Sequence, residues 1–207
     1  MTNKIFFFKE VVKNLKTLGT VTPSSRFLAS RMLKEINFSE VDVLVELGPG
    51  NGIITKYILE RLPPKAILIC FEINDNFYSQ LLKVKNPQLV VIKSSAEKIK
   101  DELNLLGFKK TNHIISSLPL TIIPNKISKK ILDKSFEVLE NGGTYIQFQY
   151  SLSYFKKLKT VFNKSISLDF EPLNFPPAFV YRCKKSTKFL LKNLCKRLSL
   201  SSLWQNK

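Results

Sequence analysis

Val41-Asp42-Val43-Leu44-Val45-Glu46-Leu47-Gly48-Pro49-Gly50-Asn51-Gly52 opens with an apolar, valine-rich run and closes on three glycines at alternate positions. The run reads as a buried strand. The glycines let the backbone turn sharply and pass close to a ligand. Ile53-Ile54-Thr55-Lys56-Tyr57-Ile58-Leu59 follows with the apolar spacing of a helix. Strand, glycine loop and helix in that order make a nucleotide-type ligand site at a helix N-terminus. The spacing is G-x-G-x-G, whereas dinucleotide sites use G-x-G-x-x-G. Glu46 stands just before the loop. A carboxylate there would repel a diphosphate, but a cationic ligand tolerates or favours it. A second acid, Glu72, ends the apolar run Ala66-Ile67-Leu68-Ile69-Cys70-Phe71, twenty residues after Gly52. At the end of the second strand of a doubly wound sheet, such an acid can accept both hydroxyls of a ribose.

The remaining pattern alternates in the same way. Residues 76–82 read as a helix, 89–93 as a strand, 97–106 as a helix and 113–116 as a fourth strand. Residues 128–139 form an amphipathic helical pattern, broken by Gly142-Gly143, and 144–150 read as a fifth strand. The Pro-rich stretch 169–177 reads as a loop leading to a last strand around 178–182. Regular βα alternation argues for a mostly parallel sheet with helices on both faces. The 207 residues suffice for one such domain.

Lys and Arg number 33 against 16 Asp and Glu, a net charge of +17. This balance implies a polyanionic partner, either nucleic acid or an anionic membrane surface. The abundance of Lys, Asn and Ile over Arg and Ala points also to a biased genome, so charge alone does not choose. No apolar run approaches the roughly 20 residues that span a bilayer, and the first residues lack a signal-peptide pattern. Cys70, Cys183 and Cys195 lack metal-type spacing and read as reduced thiols of a cytosolic protein. His113, the single histidine, reads as structural; no metal is expected.

Two segments lie outside the core pattern. Residues 4–17 place Ile5, Phe8, Val12 and Leu15 on one helical face, with Lys4, Lys9, Lys13 and Lys16 on other sides. Such a helix can lie in a membrane interface, pack over the active site as a lid, or do both. Residues 184–207 combine lysines with Leu191, Leu194 and Leu198 at helical spacing. They read as a basic tail, with membrane contact as the second possibility.

The Glu46–Gly52 loop, an acid before G-x-G-x-G, resembles motif I of the class I S-adenosylmethionine (SAM) methyltransferases. That resemblance implies a Rossmann-like α/β fold with a mostly parallel seven-stranded sheet. It implies SAM contacts at Ser25, Glu46, Gly48, Gly50, Asn51, Gly52, Glu72, Ile73, Ser95, Ala96 and Ser117. Ser95 stands where that class commonly has an acid for the adenine amino group; a hydroxyl can still accept that bond. Ser117-Leu118-Pro119-Leu120 resembles the [N/S]-x-P-[aromatic] motif IV of amino-methylating enzymes, in which the first side chain and the next carbonyl accept hydrogen bonds from the target nitrogen. In rRNA adenine dimethylases an aromatic after the proline stacks on a flipped base. Leu120 offers no such face, which argues against a nucleobase and for a flexible alkyl amine.

The serine-leucine-proline-leucine form is similar to a narrower family, the bacterial phospholipid N-methyltransferases that act on phosphatidylethanolamine. Three further segments agree: Gly19-Thr20-Val21-Thr22-Pro23-Ser24-Ser25-Arg26, Gln147-Phe148-Gln149-Tyr150, and Asn174-Phe175-Pro176-Pro177-Ala178-Phe179-Val180-Tyr181-Arg182. Ornithine-lipid N-methyltransferases look similar. The resemblance implies that Ser117, the Leu118 carbonyl and Tyr150 orient the amine. Tyr150, Arg26 or Arg182 would bind the lipid phosphate, and Leu120 would line the slot. It further implies a peripheral enzyme on the inner face of the membrane, with an anionic bilayer and a phospholipid as partners. An RNA adenine methyltransferase is the competing expectation.

Overall fold

The computed structural model describes residues 24–163 and 165–186. One sheet is built from β1 (Val43–Leu47), β2 (Ile67–Phe71), β3 (Leu89–Ile92), β4 (Thr111–Ser116), β5 (Leu139–Gln149), β6 (Ile166–Glu171) and β7 (Ala178–Lys184). Their order is β3-β2-β1-β4-β5-β7-β6. The first five strands pair in parallel; β7 runs antiparallel to both of its neighbours. The helices are α1 (Arg26–Leu33), α2 (Ile53–Leu59), α3 (Asp75–Leu81), α4 (Ile99–Leu105), α5 (Asn125–Val138) and α6 (Phe155–Phe162).

The two faces of the sheet explain the apolar runs. Side chains alternate across a strand, and a sheet covered on both sides needs apolar residues at every position. Val43, Val45, Leu47, Ile69, Phe71 and Ile114 pack on one side against α4, α5 and α6 through Ile99, Leu103, Ile131, Leu132, Leu158 and Phe162. Leu44, Leu68, Cys70, Ile115 and Ile146 pack on the other side against Leu28 and Met32 of α1 and Ile54 and Ile58 of α2. Each such side chain, fully buried, contributes about 1.5–3 kcal/mol.

Three boundaries differ from the sequence reading. Gly142 and Gly143 do not end a helix before a strand; β5 runs through them, with a register shift against β4 between Thr111 and His113. A Cβ at Gly143 would lie 2.6 Å from the Asn112 carbonyl oxygen, so the close approach of β4 demands glycine there. Residues 169–171, read as loop, belong to β6, an edge strand whose half-exposed Ser-Leu-Asp-Phe alternation gives a weak apolar signal. The basic tail starts later than expected, because Lys184 ends β7. Lys185 is buried, and its Nζ donates to the Phe136 and Leu139 carbonyls at 2.7 and 2.6 Å. It thereby satisfies carbonyls at the end of α5, and burial pulls its pKa down to about 8. The amphipathic segment 4–17 and most of the tail lie outside the described residues.

The chain leaves β1 toward β2 and β3 and then returns to β4 on the other side. Ligands of such sheets bind outside the carboxyl ends of the strands where the order reverses. The loops after β1, β2, β3, β4 and β5 therefore share one edge, and these loops carry Gly48–Gly52, Glu72, Ser95, Ser117 and Tyr150.

Candidate active site

The glycine loop takes the shape its sequence requires. Gly48, Gly50 and Gly52 all have positive φ, at 69°, 57° and 78°. At Gly48 and Gly50 the reasons differ. A Cβ at Gly48 would meet Leu118 Cδ2 at 2.8 Å, so this glycine lets the loop after β4 fold down onto the loop after β1. A Cβ at Gly50 would meet nothing within 4 Å among the described residues, so the turn leaves room on that side for a ligand to approach.

Glu72 is buried at the end of β2. One carboxylate oxygen accepts from the Gly50 N–H at 3.1 Å and the other from the Asn74 N–H at 2.7 Å. Glu72 thus fixes the glycine loop at the end of β2. Ile73 lies half-buried beside it, and Asn51 is exposed at the tip of the loop. Glu46 is fully buried beneath the loop. One of its oxygens accepts from Thr55 Oγ1 at 2.7 Å and from Cys70 Sγ at 3.4 Å, while Oε1 has no partner among the described residues. Burial pushes its pKa up to about 7, against the opposing hydrogen bonds from Thr55 and Cys70. Ser95 caps the turn Ala96–Lys98, its hydroxyl accepting from the Glu97 N–H at 3.4 Å. Ala96 is buried beside it.

The segment after β4 departs from expectation at two residues. The Leu118 carbonyl was expected to accept from the reacting amine. It already accepts from the Leu120 N–H at 2.8 Å and from the side-chain amides of Gln147 and Gln149, each at 3.0 Å. A carbonyl has two lone pairs, so this oxygen is saturated. Leu120 does not line a slot; it is fully buried in the core under α5. Ser117 sits just after the end of β4, where the loop begins. Its N–H donates to the Leu47 carbonyl at 2.9 Å, and its Oγ is buried without a partner among the described residues.

Tyr150 follows β5, partly exposed, its ring edge-on to Phe148. Burial raises its phenol above the usual range, and a side-chain hydrogen bond with Asn174 opposes this. Asn174 is buried; its Oδ1 accepts from the Ser25 N–H at 2.9 Å and its Nδ2 donates to the Pro176 carbonyl at 2.7 Å. Ser25 in turn caps α1 through the Leu28 N–H. Asn174 thus ties the start of α1 to the β6–β7 loop. Sequence reading passed over it and the two glutamines. A usable signal existed: Gln147 and Gln149 share one face of an otherwise apolar strand, and buried amides demand partners.

Arg182 is misplaced as a lipid-phosphate ligand. It is buried in mid-β7 with Nη1 2.5 Å from Asp169 and 3.5 Å from Glu35, and Nη2 on the Arg31 carbonyl. It locks α1 to the β6–β7 hairpin and lines a cavity of about 350 Å³ with Glu35, Ile36 and Lys184, away from the glycine loop. Arg26 does stand at the active-site edge, exposed, its guanidinium 4.8 Å from the Phe27 ring centroid.

These groups fit SAM on the structure's own terms. The glycine turn meets nothing at Gly50 among the described residues, Glu72 is oriented by backbone donors, and a buried Glu46 oxygen and the Ser117 hydroxyl both lack partners among the described residues. Residues 16–167 match the family model described as ribosomal RNA adenine dimethylase. The chain belongs to that family. Within and around the adenine dimethylase family, the matches divide by substrate. An ornithine lipid N-methyltransferase of Singulisphaera acidiphila is 26% identical over 89% of this chain and 97% of its own length. A ribosomal RNA small subunit methyltransferase A of Sulfurihydrogenibium sp. is 29% identical over 72% of this chain but 57% of its own. The chain spans about half the length of that rRNA enzyme and of its counterpart in Methanococcus aeolicus. Among solved structures, a putative rRNA-methylase from Clostridium thermocellum aligns with TM-score 0.54 at 19% identity, over 70% of this chain and 87% of its own. A precorrin-6y C5,15-methyltransferase from Geobacter metallireducens aligns with TM-score 0.62 at 11% identity, over 77% and 88%. Both share the Rossmann-like methyltransferase fold. The protein is a SAM-dependent N-methyltransferase.

Proposed function

We propose that this enzyme methylates the amine of a membrane lipid. The observation that carries the reading is position 120. The residue after the motif IV proline is aliphatic and sits in the core, so the loop that receives the nucleophile offers no ring for a base. Stacking on an aromatic contributes about 1–3 kcal/mol per base that this segment cannot supply. The relative that covers almost the whole of this chain is named for a lipid substrate, which supports an ornithine lipid as head group ahead of the phosphatidylethanolamine suggested by the motifs.

SAM supplies a methyl group already activated on a sulfonium, so the protein's task is placement. The amine must arrive neutral, although a free alkylammonium has a pKa near 10. Burial beside Ser117, whose Oγ is itself shut from solvent, would disfavour the charged form. The Ser117 Oγ then accepts an amine N–H, which aims the nitrogen lone pair along the transfer direction. The Leu118 carbonyl, saturated by Leu120, Gln147 and Gln149, holds the loop in place instead of the substrate. Tyr150 and Arg26, both exposed, would meet the polar head group.

The competing reading, adenine in RNA, draws on the family description and on the net charge of +17. The deciding assay offers labelled SAM with vesicles containing ornithine lipid, with vesicles containing phosphatidylethanolamine, and with ribosomal RNA. Label in either lipid is the expected result. Label in RNA and in neither lipid overturns it.

A further inference from the structure

The edge of the sheet that holds the active site carries a second pattern. Four segments meet there: 24–27 at the start of α1, 118–126 after β4, 150–157 after β5, and 172–177 between β6 and β7. Hydrogen bonds join them in two pairs. The Ser25 N–H donates to Asn174, while Gln149, next to Tyr150, contacts both Thr121 and the Leu118 carbonyl and Lys157 donates to Asn125. Each segment exposes a large apolar side chain. Phe27, Ile122, Leu152, Leu173 and Phe175 all face solvent, the last two with 62% and 79% of their surface exposed. The same four segments contain Arg26, Lys126, Lys156 and Lys157 and no Asp or Glu. An apolar rim with only basic charge around a site opening is the composition of a surface that enters an anionic bilayer.

We propose that this rim is a membrane-insertion surface. Phe27, Ile122, Leu152, Leu173 and Phe175 enter the acyl boundary while Arg26 and the lysines meet anionic head groups. The active-site edge then faces the leaflet directly, and an amino lipid can reach Ser117 without crossing water. The inference rests on the lipid-amine reading of the site. It places the membrane contact on the folded domain, independently of residues 4–17.

The test uses the full chain and vesicles of phosphatidylglycerol with phosphatidylcholine, which carry no primary amine and so report docking alone. Leu173→Ser with Phe175→Ser should weaken sedimentation with these vesicles at least tenfold. Ile122→Ser with Leu152→Ser, on two other segments, should do the same. Leu105→Ser is the matched control: Leu105 is 82% exposed at the end of α4, next to the opposite edge of the sheet, and its loss should leave binding unchanged. SAM affinity measured by calorimetry verifies that each variant is folded and loaded. Binding that survives in both pairs, or that falls equally in the control, overturns the proposal. The substrate reading fails separately: label in RNA alone removes it even if the rim variants still lose vesicle binding.

Discussion

Glu46 and Glu72 are both buried acids at strand ends, yet their surroundings give them different work. Glu72 accepts from the backbone N–H groups of Gly50 and Asn74. Replacing it with Ala removes a ribose acceptor and frees the Gly50 N–H, so SAM should bind about 1–3 kcal/mol more weakly, as titration calorimetry will show. Unchanged affinity would take Glu72 out of the site. Glu46, by contrast, is held near neutrality by burial, with a pKa of about 7 against an ordinary 4.5. Its folded-state pKa is raised, so the fold keeps its full stability below pH 4.5 and loses it as pH climbs toward 7. The loss amounts to about 3 kcal/mol. Glu46→Gln should flatten urea-unfolding stability over that window; a slope equal to the wild type's would assign the pH dependence elsewhere. The acids themselves were legible in the sequence, because the loop spacing and strand ends put them at ligand positions. Their difference was not, since it depends on Thr55 and Cys70 arriving from α2 and β2.

At the scale of elements, the loop after β4 is held by β5, not by its own turn alone. Gln147 and Gln149 grip the Leu118 carbonyl from the neighbouring strand, which on the proposed function would leave Ser117 to meet the amine. Gln149→Ala should therefore lower kcat while leaving SAM affinity near that of the wild type, since an ångström of drift at the nucleophile is costly to rate. Gln149→Glu should not rescue it, because a carboxylate cannot donate to a carbonyl. A variant whose only change is weaker SAM binding would refute the clamp. Arg182 makes the opposite point. Sequence pattern placed it beside a late aromatic and suggested a phosphate ligand; the register of β7 against β6 buries it opposite Ser167, within reach of Asp169. Register between distant strands is set by packing that no local motif records. Arg182→Met should destabilise the fold by about 1–3 kcal/mol by removing the charge-assisted bonds to Asp169, which keeps Lys34, and to the Arg31 carbonyl, with the KM for the methyl acceptor unchanged. A raised KM at unchanged stability would restore the arginine to the substrate.

For the molecule as a whole, the excess of base over acid is unevenly placed. No Asp or Glu occurs from residue 172 to the C-terminus, and none occurs in the four rim segments around the site. The acids instead gather elsewhere, as in the exposed pairs of Glu137 with Lys100 and Lys134 and of Lys129 with Asp133. Such exposed pairs each contribute at most about 1 kcal/mol to stability. A charge that merely followed genome composition would be spread evenly and would have no preferred surface. The four basic residues of the rim, Arg26, Lys126, Lys156 and Lys157, have no acid in their own segments and would guide the rim toward an anionic leaflet, each contributing about 1 kcal/mol near the surface. The Debye length shrinks from about 10 Å at 0.1 M salt to about 3 Å at 1 M. Vesicle binding should therefore fall at least tenfold over that range on phosphatidylglycerol-rich membranes and stay nearly constant on zwitterionic ones, where only the apolar rim contributes. Equal salt dependence on both membranes, measured by sedimentation, would mean that the charge has no part in bringing this enzyme to its lipid.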